Sequence, residues 1–415
     1  MAIRASMHRL GGVLLEKLLN ADSGGHCGPR LDCGHGHQAE FVDYRSKQVL
    51  TVLAPVEVKR AYYHCADCQD GVIPKDRELD IAGTSFSPGV RRMMGRVGAK
   101  EPFEEGRQDL EELAGVCVKT KEVERVSEAI GEQIERLATQ ERELALSLSG
   151  QIVPIQALPK LYIAVDGTGV PMVSKETEGR AGKDETGRAK TREAKLGCVF
   201  AQTSLDDEGR PVRDLDSTTY VGAIETALEF GRRIYAEAVR RGVDHAERVV
   251  VLGDGAPWIW GLADEHFPGA IQIVDLYHVR EHLGDLAKIA LGAGSPESKA
   301  WEMVRREELD AGDVERVVVA LEQLNPREDK AKDAVRKTLG YFQDNAKRMR
   351  YADFRNQGLF IGSGVVEAGC KTVVGHRLKQ SGMRWTVRGA NAIIALRCCE
   401  LSGRWEQFWE ARATA

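Results

Sequence analysis

The sequence lacks any hydrophobic run long enough to cross a membrane. No apolar stretch approaches the roughly 18 residues that a spanning helix needs. The N-terminal stretch Leu10–Leu15 is too short for the hydrophobic region of a signal peptide, and charged residues follow at Glu16 and Lys17. We therefore expect a cytoplasmic protein that has no membrane among its partners.

An excess of basic residues is also missing. Lys and Arg number 58 against 63 Asp and Glu, which gives a formal net charge of -5. The chain as a whole therefore does not attract DNA or another polyanion, and any nucleic-acid surface must be local. Internal repeats are absent as well. A length of 415 residues, of which 42% are hydrophobic and 29% charged, predicts two or three globular domains.

Nine cysteines are present, and four of them lie within the first 68 residues. An odd number in a reducing cytosol favours metal binding over disulfides. The Cys65–Cys68 pair has the spacing of a zinc-binding turn. The upstream half is less regular, because no second Cys-x2-Cys is found there. The predicted ligands of a structural Zn²⁺ are Cys33, His37, Cys65 and Cys68, with Cys27 or His35 as alternatives to His37.

The first 150 residues divide into three regions. Residues 1–25 contain a predicted helix at Met7–Asn20, and residues 26–80 contain short β-runs at Gln48–Leu53 and Val56–Tyr63 between the cysteines. Residues 84–150 are predicted to be helical, with a break at Ala114–Val116. This region fits either a helix-turn-helix or an ordinary helical hairpin, because it is as acidic as it is basic.

Strands and helices alternate from residue 158 onward. The predicted strands are Leu161–Val165, Leu196–Gln202, Ser217–Val221, Arg248–Leu252 and Ala270–Val274. The first three follow one another too closely for crossover helices, so they predict an antiparallel meander; a helix over 223–242 then leads to the last two. The result is a mixed α/β sheet over 158–278. The charged stretch Ser174–Lys195 is predicted to be a mobile loop. Residues 279–358 form a predicted helical insertion, and residues 359–415 form the predicted C-terminal helical part of the same core.

Three acids are predicted to converge at this sheet. Asp166 and Asp254 each close an apolar strand and precede a glycine, and Glu367 lies in the first turn of a helix that Ser363 can cap. Converging carboxylates need hard cations between them, which favours two Mg²⁺ or Mn²⁺ ions. Such a pair of ions supports phosphoryl transfer on a phosphodiester.

A further acid and a histidine follow the fifth strand, at Asp275 and His278. The plain interpretation is a helix-capping Asp followed by a satisfied His. Asp275 also competes with Asp254 for the place of the second catalytic acid. Trp258 and Trp260 are interpreted as core residues.

The chain resembles the ISKra-type bacterial insertion-sequence transposases, which are related to the Mutator-like superfamily. The resemblance covers nearly the whole chain. It is carried by Val165-Asp-Gly-Thr-Gly, Gly253-Asp-Gly-Ala-Pro-Trp-Ile-Trp, Asp275-Leu-Tyr-His, Gly362-Ser-Gly-Val-Val-Glu-Ala-Gly-Cys-Lys and Arg377-Leu-Lys-Gln-Ser-Gly-Met-Arg-Trp.

The resemblance implies a multidomain α/β protein. Its ribonuclease H-like mixed sheet with a helical insertion would follow a small zinc-ribbon β module and the helical region. It also implies DDE chemistry, in which Asp166, Asp254 and Glu367 hold the metal ions, transposon ends are cleaved and the ends are joined to target DNA. Asp254 is then the second acid, and Asp275 and His278 form a separate auxiliary motif. A bacterial, nucleoid-associated protein that forms a homo-oligomer on DNA is the matching expectation.

The segment from Lys371 to Arg397 is basic and contains no acid. Its cations could neutralise DNA phosphates beside Glu367, and a tryptophan among them could stack on a base. The predicted DNA contacts are Lys371, Arg377, Lys379, Arg384, Trp385 and Arg388.

Other functions fit the same residues less well. A metal-dependent nuclease or resolvase on the same fold would cleave DNA without joining strands. A domesticated, inactive DNA-binding relative would gain nothing from three mutually repelling acids. A Rossmann-type nucleotide enzyme is disfavoured, because Asp166-Gly-Thr-Gly lacks the glycine spacing of a dinucleotide fingerprint.

Overall fold

A computed structural model describes residues 2–147, 158–182 and 186–413 of the chain. Within these ranges the helices are α1 (Ala2–Leu19), α2 (Pro74–Glu78), α3 (Pro88–Lys100), α4 (Phe103–Asp109), α5 (Thr120–Ser147), α6 (Ala227–Arg240), α7 (Pro257–His266), α8 (Leu276–Leu291), α9 (Pro296–Asp310), α10 (Val314–Glu322), α11 (Asp329–Asn345), α12 (Tyr351–Asn356), α13 (Gly364–Gly369), α14 (His376–Leu378), α15 (Val387–Leu401) and α16 (Trp405–Ala413). The strands are β1 (Arg30–Asp32), β2 (Gln38–Leu50), β3 (Pro55–Cys65), β4 (Asp70–Val72), β5 (Lys160–Pro171), β6 (Thr191–Gln202), β7 (Ser204–Leu205), β8 (Pro211–Val212), β9 (Thr219–Ala223), β10 (Arg248–Gly253) and β11 (Ile271–Val274).

The chain forms two compact units. The first comprises Met1–Gly131 with Glu406–Ala415, and the second comprises Glu132–Trp405. None of the helices in the described ranges has the length and apolar character needed to cross a bilayer.

The first unit contains a four-stranded antiparallel sheet in the order β1-β2-β3-β4. Its N-terminal helix begins at Ala2, earlier than the predicted Met7. The predicted strand Gln48–Leu53 was wrong at both ends, because β2 starts at Gln38 and ends at Leu50. The chain turns there because the Thr51 hydroxyl donates to the Ala54 carbonyl (2.7 Å).

Helices follow the sheet, as the pattern over 84–150 predicted; residues 148–150 lie outside the described ranges. α4 continues into a π-helical turn that ends at Gly115, whose φ of 70° permits the sharp break before α5. α3 and α5 pack closely, since a Cβ on Gly98 would lie 2.0 Å from the Ser127 hydroxyl oxygen.

The second unit is built on a five-stranded mixed sheet in the order β11-β10-β5-β6-β9. β5, β6 and β9 pair antiparallel, while β10 is parallel to both β5 and β11. The predicted meander and mixed sheet are therefore confirmed. The strands are buried on both faces, as their continuous apolar runs require.

Helices cover the two faces of this sheet. Leu196 and Gly197 are consecutive in β6 and therefore point to opposite faces. A Cβ on Gly197 would meet Ile234 of α6, whereas Leu196 lies against Gly369 of α13. α6 begins with a capping box, in which Thr226 accepts from the Glu229 backbone N–H and Glu229 accepts in return.

The first hairpin of the sheet is longer than predicted. β5 continues through Asp166 to Pro171, and β6 starts at Thr191, so part of the predicted loop Ser174–Lys195 is strand. Residues 183–185 of that loop lie outside the described ranges. Asp166 therefore does not close its strand, because β6 runs alongside it and pairs Asp166 with Leu196.

The region predicted as an insertion is helical throughout its main elements, α8 to α12. Its first helix already begins at Leu276, directly after the fifth strand of the sheet. The chain then returns to the sheet through Ile361, whose carbonyl accepts from the Leu276 N–H (3.0 Å).

Candidate functional site

The first candidate site lies at two adjacent turns of the first unit. Cys33 and His37 belong to the β1–β2 turn, and Cys65 and Cys68 belong to the β3–β4 turn. The start of β2 pairs with the end of β3, at Glu40 and His64, so both turns lie at the same end of the sheet. The fold therefore brings together four ligands that are distant in sequence.

The four ligand atoms lie within 4.8 Å of one another. The Cys33 and Cys68 sulfurs are 3.6 Å apart, and His37 Nδ1 is 3.2 Å from the Cys68 sulfur. Tetrahedral zinc with its usual bond lengths separates two sulfurs by about 3.8 Å and a sulfur from a nitrogen by about 3.5 Å. The group therefore could bind a metal ion such as zinc.

The four residues of this group are the preferred ligands of the sequence prediction. The fourth member is His37, whereas His35 and Cys27 are exposed and outside the group. The Cys27 thiol donates to the Gly25 carbonyl instead (3.4 Å). Hydrogen bonding to the Cys65 sulfur, together with burial, raises the pKa of Cys68 to about 12. Loss of all the thiol protons therefore needs a cation between the sulfurs.

The second candidate site is acidic and lies in the second unit. The parallel register pairs Ala164 of β5 with Leu252 of β10. Asp166 lies two residues after this pair, within β5, and its side chain shares the face of Ala164. Asp254 lies two residues after the pair in the loop that follows β10, which ends at Gly253, so the register brings the two acids near each other. The opposite face is taken by Gly253, which lies against Ile259 of α7.

Asp166 is the most perturbed acid of this site. Burial raises its pKa, and the negative charges of Asp254 and Glu367 raise it further. The Gly167 N–H (2.7 Å) and the Cys370 thiol donate to its carboxylate and act in the opposite direction. The charges of both acids thus act on Asp166, which is in electrostatic range of Asp254 and Glu367.

Asp254 is held at the start of α7. Its carboxylate accepts the Ala256 N–H (2.9 Å), and its carbonyl accepts the hydroxyl of Tyr341 from α11 (2.8 Å). The Tyr341 ring also packs on Gly255, whose φ is 100° and where a Cβ would come within 2.5 Å of the ring. The helical insertion therefore helps to fix the loop of the second acid.

Glu367 is exposed on α13. Ser363 occupies the position before this helix, but its side chain accepts no backbone N–H, so the predicted hydroxyl cap was wrong. The Ser363 hydroxyl instead donates to the Glu367 carboxylate (3.2 Å). The serine therefore orients the third acid directly.

Asp275 is fully buried at the start of α8. One carboxylate oxygen accepts the His278 N–H (2.8 Å), and the other accepts the Ser363 N–H. Both oxygens are thus engaged by the backbone, which fits the helix-capping interpretation. His278 contacts His282, whose pKa is lowered by burial and by the neighbouring His278 charge.

Among the described residues, the group Cys33, His37, Cys65 and Cys68 is the one set of three or more such side chains found close enough to hold a metal ion, and the three acids do not form such a set.

Two predicted DNA contacts do not fit their surroundings. Arg377 is fully buried, with its guanidinium 5.1 Å from the centre of the Trp385 ring. Trp385 is 7% exposed, and its indole N–H donates to the Leu378 carbonyl (3.0 Å). The backbone of Trp385 bonds to Pro171 and Val173 at the end of β5. These side chains support the sheet and are not placed to meet a phosphate or a base.

The other predicted cations remain at the surface. Lys371, Lys379 and Arg384 are exposed, and Lys379 donates to the hydroxyl of Thr168, two residues after Asp166. Arg388 is exposed and pairs with Glu132. Of the two tryptophans that were interpreted as core, Trp260 is buried and Trp258 is half-buried.

Some residues of the acidic site had no assigned role in the sequence. Cys370 and Ser363 both lie in the motif around Glu367, so their closeness to Glu367 in the sequence could have indicated a role in the site. Tyr341 and His282 had no such signal, because only the folded insertion brings them near Asp254.

Comparison with known proteins gives three similarities. The profile of "Uncharacterised protein family (UPF0236)" matches residues 235–412. The "UPF0236 protein in vanSb 3'region" of Streptococcus gallolyticus is 21% identical over 375 residues, which cover 88% of this chain and 74% of that protein. A solved structure, "Drosophila P element transposase strand transfer complex", aligns over 81% of this chain and 84% of that chain at 10% identity, with a TM-score of 0.27. A score this low does not show a shared fold.

The Cys/His group predicts that cysteine variants inside it and outside it differ in zinc content. Cys68→Ser is expected to reduce bound zinc from about one ion per chain to almost none, since a hydroxyl replaces a thiolate ligand. Cys27→Ser is the matched control and should leave the zinc content unchanged, because Cys27 lies outside the group. Metal analysis of the purified variants measures both, and equal zinc loss in the two would contradict the assigned ligand set.

The raised pKa of Asp166 predicts that Asp166→Asn increases thermal stability in a pH-dependent way. A group whose pKa is higher in the folded than in the unfolded state stabilises the protein below its unfolded-state pKa. This stabilisation is lost as the pH rises through its folded-state pKa. At neutral pH in EDTA, the Asn variant should therefore have a higher melting temperature than the wild type.

Melting curves from acid to neutral pH check this expectation. The difference in melting temperature between the Asn variant and the wild type should grow as the pH rises above the ordinary pKa of Asp. Asp285→Asn, at an exposed position of α8, should show no such growth. A pH-independent difference for Asp166→Asn would contradict the burial argument.

Proposed function

We propose that this protein is a DNA transposase that cleaves transposon ends and joins them to target DNA. The observation that carries the proposal is the parallel register of β5 and β10, which brings Asp166 in β5 near Asp254 in the loop after β10, together with the effect of the Glu367 charge on Asp166. Three acids of this kind, contributed by two strands and a late helix, match the order of acids in the transposases that the sequence resembles.

The architecture of the second unit supports the same proposal. Its mixed sheet, with a helical insertion between the second acid and the glutamate, is what the resemblance to ribonuclease H-like transposases implies. In this proposal residues 158–278 and 359–415 form the catalytic core, and residues 279–358 form the insertion. Tyr341 gives the insertion a role, because it ties α11 to the carbonyl of Asp254.

The donor set fits hard divalent cations. Carboxylate oxygens without nitrogen ligands favour Mg²⁺ or Mn²⁺, and Asp166, Asp254 and Glu367 would hold them. When bound, two such ions activate water or a 3′-hydroxyl and neutralise the leaving oxygen of a phosphodiester.

The chain's own residues prepare this centre. The Gly167 N–H and the Cys370 thiol orient the Asp166 carboxylate, and the Ser363 hydroxyl orients that of Glu367. Asp275 fixes the segment before α13 by accepting the Ser363 N–H. These contacts hold the acids in place while the scissile strand binds.

DNA would approach over the exposed cations. Lys371, Lys379 and Arg384 replace the six-residue set of the sequence prediction, because Arg377 and Trp385 are buried and Arg388 pairs with Glu132. Lys379 is the best placed, since it bonds to Thr168 beside the first acid. We assign end recognition to the zinc-ribbon module (26–80) and the helical region (84–150), and we expect a homo-oligomer to assemble on two ends.

Cleavage and joining should require both metal and the acids. Purified protein would be incubated with labelled DNA carrying the element's own ends, in Mg²⁺, Mn²⁺ or EDTA. Glu367→Gln and Asp254→Asn should each reduce cleavage by at least about a thousandfold, because several kcal/mol of charge stabilisation is removed. End binding should persist in both variants.

Asp285→Asn, at an exposed position of α8, is the matched control and should cleave normally. Metal-dependent cleavage without joined products would indicate a nuclease or resolvase instead. Binding without any cleavage by the wild type would indicate an inactive DNA-binding relative. Near-normal cleavage by Glu367→Gln would remove Glu367 from the site.

The exposed cations predict the salt dependence of DNA binding. Each phosphate contact contributes about -0.9 to the slope of log K against log salt. The double variant Lys379→Ala/Arg384→Ala should therefore bind with a slope shallower by up to about 1.8. Lys299→Ala/Lys332→Ala, with both changes in the insertion, is the control. An unchanged slope in the first variant would place the DNA elsewhere.

A further inference from the structure

Helix α8 carries two histidines one turn apart. Residues four positions apart in a helix lie on the same face, so His278 and His282 are neighbours on its surface. Their Nε2 atoms are 3.1 Å apart, and the two rings are nearly perpendicular, with centroids 4.7 Å apart. The two Nε2 atoms therefore share one proton in a hydrogen bond, and a cation bound to both would take the place of that proton.

The surroundings hold the two rings in position. The His282 ring lies 4.5 Å from the ring of Tyr341, and the hydroxyl of Tyr341 is itself bonded to the Asp254 carbonyl. The backbone N–H of His278 donates to the buried Asp275. The histidine pair is thus fixed before any ligand arrives, which lowers the entropy cost of binding.

The second ring nitrogen of His278, Nδ1, also has a suitable neighbour. The Glu281 carboxylate lies 3.9 Å from His278 Nδ1, on the side away from His282. Histidines that bind metals usually direct their second ring nitrogen to a carboxylate or carbonyl. The His278 side chain is 36% exposed, so a cation from solvent can reach the pair.

The separation of the two nitrogens matches a metal-binding geometry. Two neighbouring ligands at about 2.1 Å from an ion with 90° ligand angles, as in tetragonal Ni²⁺ or Cu²⁺ sites, are about 3.0 Å apart. Two histidines at positions i and i+4 of a helix are also the spacing by which helical zinc sites present two imidazoles. Imidazole suits Zn²⁺, Ni²⁺ and Cu²⁺, whereas Mg²⁺ prefers oxygen.

We propose that His278 and His282 form a two-imidazole site for a divalent transition-metal cation. The site differs in donor chemistry from the carboxylates of Asp166, Asp254 and Glu367, and from the Cys/His group of the first unit. It does not depend on the proposed transposase activity. The remaining coordination positions of the cation would be filled by water.

Nickel titration provides a direct test. Protein whose Cys/His group is filled with zinc would be titrated with Ni²⁺ by calorimetry, with excess Mg²⁺ present to compete at the acids. Wild type should bind one additional Ni²⁺. His278→Gln and His282→Ala should each weaken that binding by more than about tenfold, since one of the two ligands is lost. His245→Ala, at an exposed histidine of the same unit, should bind like the wild type.

Two further measurements keep the result unambiguous. Circular dichroism must show that each variant is folded. If His282→Ala does not fold, because His282 is the more buried of the two, His278→Gln still tests the proposal. Asp254→Asn should keep the Ni²⁺ site. No additional Ni²⁺ in the wild type, unchanged affinity in both histidine variants, or loss of Ni²⁺ with Asp254→Asn would each overturn the proposal, the last because the acids would then be the ligands.

Discussion

Parallel pairing of β5 with β10 is the constraint on which the acidic centre depends. It aligns Ala164 with Leu252 and therefore brings Asp166 of β5 near Asp254 in the loop after β10, each two residues further on. A register slip of one residue would turn one acid to the opposite face, where α6 and α7 pack. Burial on both faces fixes this register, because any slip would place apolar side chains against the wrong neighbours.

The insertion and the C-terminal segment are joined to this sheet through polar contacts. Asp275 is buried with both carboxylate oxygens bonded to backbone N–H groups, one from α8 and one from Ser363. A buried carboxylate is costly unless it is satisfied in this way. Tyr341 adds a second link, from α11 to the loop of Asp254. The acids thus depend on residues of the insertion that carry no acid chemistry themselves.

Much of this organisation could be predicted from the sequence, and the failures have physical causes. Periodicity revealed the five strands, and cysteine spacing gave Cys65 and Cys68, whereas Cys33 and His37 were the preferred partners among several candidates. Asp166 was placed at a strand end because Asp-Gly is typical of turns, but pairing with β6 keeps the chain extended. Charge pattern alone does not report burial, so Arg377 and Trp385 were assigned to DNA although they pack together. Only tertiary structure reveals contacts such as that between Tyr341 and Asp254.

The long sequence separation of the acids has a consequence for biosynthesis. Asp166 and Asp254 are 88 residues apart, and Glu367 follows 113 residues later. Contacts between such distant residues form late in folding, after the costs of closing the intervening loops are met. A nascent chain that has released β10 and β11 from the ribosome still lacks Glu367 and the serine that orients it. Under the proposed function, an incomplete polypeptide that lacks Glu367 therefore cannot cleave DNA.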